Sequence, residues 1–144
     1  MSDTSQQSDF RQQDPHSGGQ EIFESVKSRI KQRIIKYAEA KLAGRYTTLH
    51  IRSHDKFCHV DAYVEPDVIE EWPEGFPETR EEHIDRMRKT PIHLCRLRYF
   101  GDEEQWGIAF YSYAENKYET TAFPDGKFFG TPELAVETSA GFHL

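Results

Sequence analysis

Between residues 91 and 131 the chain sets strand-length segments against connections too short for anything but reversal. Residues 91–100 are separated from residues 105–114 by Gly101-Asp102-Glu103-Glu104, and Asn116 separates the latter from residues 117–123. A parallel crossover needs about a dozen residues or more, so such short links fold each strand back on its predecessor. Pro124-Asp125-Gly126 is a further reversal signal. Pro presets the first corner and Gly accepts positive φ, so a short strand over 127–129 is expected to pair back.

A second alternating pair precedes this run. Leu49 and Ile51 alternate with Thr48, His50 and Arg52; Val60, Ala62 and Val64 alternate with His59, Asp61 and Tyr63. Period two on both arms gives one apolar and one polar face. A turn at Asp55-Lys56 makes this a hairpin with Arg52 opposite His59 and His50 opposite Asp61. The Asn-Gly or Asp-Gly pair of the commonest tight hairpins is missing there.

Three helices frame these strands. Ile22, Val26, Ile30, Ile34, Tyr37, Ala38 and Leu42 recur at three- and four-residue steps over residues 20–43, with Gly44 as a stop. The opposite face is basic: seven Lys and Arg against three Glu over residues 20–45, a local +4. Thr79 and Glu82 form a capping box at the head of a second helix that must end before Pro91. Thr131-Pro132-Glu133 is a cap, a first-turn Pro and an acid at the positive helix end, with Gly141 as the closing residue. The order is α-β-β-α-β-β-β-β-α, an α+β domain with an antiparallel sheet of five to six strands and helices packed on it. An alternative is the curved cone of cystatin-like or nuclear-transport-factor-2-like proteins, whose element order is similar.

Residues 1–19 are rich in Ser, Gln and Asp, with Phe10 the one large apolar side chain. They are expected as a disordered tail, because so little apolar surface does not offset ordering entropy. Residues 20–144 are expected as one domain. No stretch reaches the roughly 18 apolar residues of a membrane span, and no apolar run marks a signal peptide. Cys58 and Cys95 have no Cys-x-x-Cys spacing, so they are expected as free buried thiols in a reducing cytoplasm.

Thr90-Pro91-Ile92-His93-Leu94-Cys95-Arg96-Leu97-Arg98-Tyr99-Phe100-Gly101, with Phe129-Gly130-Thr131-Pro132-Glu133, resembles an uncharacterised family of small bacterial proteins. The resemblance covers roughly residues 47–140 and implies a bacterial, cytoplasmic protein. It brings no activity, cofactor or residue role.

Four constellations remain. His50, His59 and Asp61 share the polar hairpin face with Arg52, and His54 lies at its tip; this is an acid–base or metal-ligand set, or a solvated surface. A pairing sum near 205 sets Leu97 opposite Ile108 on the core side. Arg96 and Arg98 then lie over Gly107 and Ala109, flanked by Tyr111 and Tyr113, with Tyr118 opposite Tyr113. Guanidinium groups beside phenols suit an anion, stacked bases or a dimer interface. Residues 65–85 hold nine acids against Arg80, while the first helix is basic. Trp72 and Phe76 lie on a Pro-rich connection and either fold back on the core, which is the expectation, or stand out as an interaction patch. No Ser-His-Asp set, Cys-His set or Gly-rich phosphate loop is present, and no metal or other cofactor is expected. The expectation is a non-enzymatic interaction domain, homodimeric. Alternatives are an RNA or single-strand accessory protein, which the net charge of −7 disfavours, and a small hydrolase using His50, His59 and Asp61.

Overall fold

In a computed structural model residues 17–144 are described; residues 1–16 of the expected tail lie outside the described residues. Gly18 and Gly19, counted with that tail, belong to the domain. The Gly18 carbonyl accepts from Arg98 Nη1 at 2.9 Å. Gly19 has φ +110, and a Cβ there would come within 2.8 Å of the Tyr99 carbonyl oxygen, so only glycine passes.

Strands β1 (Thr48–His54), β2 (Phe57–Tyr63), β3 (Ile92–Arg98), β4 (Trp106–Ser112), β5 (Lys117–Thr121) and β6 (Phe129–Gly130) form one antiparallel sheet. Its order is β1-β2-β3-β4-β5, with β6 also on β4. With helices α1 (Glu24–Lys41), α2 (Arg80–Lys89) and α3 (Pro132–His143), this is the expected α+β order.

The first hairpin has the expected register, Arg52 opposite His59 and His50 opposite Asp61. Asp55 takes φ +56 at its turn. Leu97 faces Ile108, also as expected. The next pair differs. Tyr118 lies opposite Tyr111, not Tyr113. The turn is longer than expected, because Ser112 Oγ accepts from the Glu115 amide and Asn116 takes φ +54. A two-residue shift keeps every side chain on its face. The last strand differs too: Phe129 and Gly130 pair with Gly107 and Trp106 of β4, beyond the end of β5.

The expected first turn of α1 is extended instead. Its amides leave the helix ladder: Gln20 donates to Tyr99 O and Ile22 to Asp55 O, both at 2.8 Å. Ile22 is still buried, with Val26, Ile30, Ile34, Ala38 and Leu42. They meet Ile51, Cys58, Val60, Leu97 and Ile108 of the sheet and Ala135, Val136 and Ala140 of α3. Trp106 is fully buried there, its indole N–H donating to Glu103 O at 2.7 Å. Helix α3 runs through Gly141 to His143; Gly141 is not in the left-handed region that would end it.

Helix α2 has the expected capping box but no buried residue. Its bonds run to the preceding connection. Arg88 pairs with Glu65, and Arg80 donates to the Ile69 and Val68 carbonyls. Trp72 does not fold back on the core. Its ring meets Phe76 and His83, each at 5.0 Å, and its N–H donates to Glu78 O. Residues 65–89 are thus an excursion held by its own contacts.

Two tests follow from this division. Ile34→Ala is expected to cost about 2–5 kcal/mol in urea denaturation, and Met87→Ala on α2 about 0.5 kcal/mol or less. Cys58 and Cys95 are free and buried, with burial pushing their thiols up to about 11 and about 12. A thiol-specific disulfide reagent should therefore label neither in the native protein and both in denaturing urea.

Candidate functional site

Helices α1 and α3 share one core with the Cys58, Val60 and Leu97 side of the sheet. The other side carries both sets of candidate residues. A register shift in β3 joins them.

Val60 pairs with Cys95, but Asp61 pairs with His93, which leaves Leu94 as an extra residue in β3. Strict alternation would put His93 on the core side with Cys95 and Leu97. The bulge reverses that parity, since one inserted residue flips all that precede it. Leu94 and Cys95 are both fully buried. His93 turns outward and its Nδ1 lies 2.9 Å from Asp61 Oδ1. The sequence signal is the apolar pair Leu94-Cys95 between polar His93 and Arg96, a doublet that alternation does not produce.

Asp61 is not part of a solvated face. It is 1% exposed, and Arg52 Nη1 donates to its Oδ2 at 2.9 Å. One carboxylate thus holds a guanidinium and an imidazole, which offsets its desolvation. Two candidates of this set stay apart from it. His50, though opposite Asp61, is exposed and makes no hydrogen bond among the described residues, and His54 is exposed at the tip.

His59 lies further in, its ring edge-on to Tyr118 at 5.3 Å. Burial, then Arg52 and Arg96, push it down to about 4, so it is neutral near pH 7. Tyr118 is pushed up to about 12 by burial and by Asp61. Tyr118 also meets Tyr111 at 5.1 Å, and Tyr111 meets His93 at 4.6 Å. The Tyr113 hydroxyl accepts from the His93 amide at 3.0 Å.

Arg96 and Arg98 lie opposite Ala109 and Gly107, as expected, and these small residues let them lie along the sheet. Both stack on Phe57, at 4.2 Å for Arg96 and 4.8 Å for Arg98. Arg96 is also 5.2 Å from the Tyr118 ring. Phe57 was missing from the sequence-based set. Its parity with His59 and Asp61 places it on this face, but an apolar residue beside a turn gives no sign of being a platform.

Arg96 has no hydrogen bond or ion pair among the described residues, and its Nε is buried. Its guanidinium faces are taken by rings, so its N–H edge is what it offers. Burial, then Arg98, lower its proton affinity, the direction expected of a cation lacking an anion. Two more buried polar atoms on this face have no partner among the described residues, His59 Nδ1 and the Tyr118 hydroxyl. Buried polar groups are normally satisfied, so three together mark a place where a partner belongs.

The face offers the Arg96 Nη groups as donors, while Arg96 Nε, the Tyr118 hydroxyl and neutral His59 Nδ1 lie covered beneath it. It is poorly equipped for acid–base work: Asp61 is already bonded twice, and no Ser, Thr or Cys is hydrogen-bonded to His59 or His93 among the described residues. No group of three His, Cys, Asp or Glu side chains among the described residues is placed to hold a metal ion.

No family model, curated protein or solved structure matches the chain.

The basic stripe of α1 is neutralised in part; Lys31, Lys36 and Lys41 are exposed with no ion pair among the described residues. Arg29 pairs with both oxygens of Glu103, at 2.9 Å each, and Arg33 with Glu104 and Glu133.

The shifted imidazole sets a pH dependence. His59 titrates at about 4 folded against its ordinary 6.5, so the unfolded chain takes up the proton first. The His59 contribution to stability should fall as pH drops from 6.5 towards 4 and level off below that, with His143 acting in the same direction; Arg-paired carboxylates such as Glu78 extend the loss to lower pH. His59→Gln should flatten the slope of the urea midpoint across that window; an unchanged slope would show that His59 is not held neutral.

Proposed function

We propose that this chain is a small binding domain whose outer sheet face takes an anionic group, and that it is not built around a catalytic site. One observation carries the reading: Arg96, half-buried between Phe57 and Tyr118, has no anion among the described residues. A planar guanidinium held by rings offers a fixed fork that matches a carboxylate or phosphate. The surrounding charge favours selectivity. Arg52 and Arg96 against Asp61 leave the face positive in a chain of net −7.

The same charge argues against a dimer formed by stacking two such faces. A two-fold interface sets a patch against itself, so guanidinium groups would oppose one another. The nucleic-acid alternative draws on the same Arg and Tyr side chains. It is weakened by the net charge and by the paired arginines of α1, since phosphate binding scales with the cations available. The hydrolase alternative loses His50, which is unbonded, and Asp61, which is committed.

No described helix is long and apolar enough to cross a membrane. Two free buried thiols support a cytoplasmic site of action.

The test is an amide and Arg side-chain NMR titration of the isotope-labelled full chain with sodium pyrophosphate and, separately, a hexaglutamate peptide. Saturable shifts at Arg96 Nε–H and along β2 to β4 are expected, and Arg96→Gln should abolish them while leaving the rest of the spectrum in place. No saturable shift with either probe would sink the proposal.

A further inference from the structure

We infer that the anionic group on the Arg96 face is supplied by a second copy of this chain, from the acidic residues Glu70, Glu71 and Glu74 of its 65–78 segment. This rests on the anion-binding reading above and names the source of the anion.

The two surfaces complement each other within one sequence. Residues 65–85 carry nine acids against Arg80. Several are used locally: Glu65 pairs with Arg88, Glu78 with Arg86 and His83, and Asp85 with Lys89. Glu70, Glu71 and Glu74 are exposed and have no ion pair among the described residues. They are interleaved with apolar side chains that stand out from the domain, Ile69 at 67% and Phe76 at 48% exposure. The excursion adds nothing to the core, because α2 has no buried residue and Trp72 packs on Phe76 and His83. Such a segment, acidic at its tip and apolar beside it, matches a face of guanidinium groups bordered by phenol rings.

Symmetry permits what face-on-face stacking does not. In a two-fold pair each segment lies on the partner's Arg96 face, so two identical opposite-charge contacts form and like charges stay apart. The rigid fork of Arg96 is already ordered by Phe57, so little side-chain freedom is lost on engaging a carboxylate. A single-stranded RNA is the competing macromolecule. It would need several free cations beside Arg96, whereas Arg52 on that face is held by Asp61.

The experiment is light-scattering mass of the full chain across protein concentration at low and high salt. A dimer at low salt that dissociates as salt rises is expected, since screening acts on exposed charges within about 8–10 Å. Arg96→Glu, and separately the triple change Glu70→Lys, Glu71→Lys and Glu74→Lys, should each weaken dimerisation by more than about tenfold. Mixing the two charge-reversed proteins should restore a dimer, because both contacts then again join opposite charges. Arg96→Gln serves in place of Arg96→Glu if the circular dichroism of the latter departs from wild type. A monomer at every concentration and salt, or a dimer indifferent to both reversals, overturns the inference. If that monomer still binds pyrophosphate at Arg96, the anion-binding reading stands and only the source is wrong. If it retains a mixed-sequence RNA oligonucleotide at low salt and Arg96→Gln does not, the anion is a nucleic-acid phosphate.

Discussion

The extra residue in β3 is the constraint on which the outer face depends. With Leu94 inserted opposite Val60, both Leu94 and Cys95 turn into the core and His93 turns out to meet Asp61. A regular ladder would bury an imidazole among Cys95, Leu97 and Ile108 and expose a leucine, at a cost on both sides of the sheet. The bulge thus completes the core and gives the buried carboxylate its second partner. Without His93, one oxygen of Asp61 would be left with no donor, and a buried charge tolerates that poorly. His93 in turn orders Tyr111 beside it, and Tyr111 meets Tyr118.

Charge is partitioned by the same economy. Helix α1 is basic on its outer stripe, yet Arg29 and Arg33 are met by Glu103, Glu104 and Glu133, so the stripe ties α1 to the β3–β4 turn and to α3. Pairs this exposed contribute modestly one by one; as a set they fix how the helix sits. The acidic excursion pairs with its own arginines, Arg86 and Arg88. Arg96 on one surface and Glu70, Glu71 and Glu74 on another are among the charges that this local pairing leaves over. Their separation within one chain makes an intermolecular contact the natural place for them to meet.

Much of the frame was legible beforehand. The buried stripe of α1 followed from three- and four-residue spacing, and both Arg52–His59 and Leu97–Ile108 followed from counting through a turn. These succeeded because periodicity and short links leave few registers. Tyr118 was misplaced by two positions because a turn's length depends on hydrogen bonds such as Glu115 N–H to Ser112 Oγ, which alternation does not encode. In the candidate site, Arg96, Tyr118 and Asp61 were named from parity, while His93 and Phe57 were not.

Element order, the antiparallel pairing of strands joined by short turns and the apolar stripe of α1 could be read from the residues, since these rest on local period and on links too short to cross over. Tertiary structure alone decided that the hairpin set and the Arg–Tyr set are one face, that Asp61 is buried, and that α2 stands off the core. A bulge arises where two strands compete for register, and burial depends on what a neighbour covers. Neither is a property of the residues that undergo it, so neither is written in their spacing.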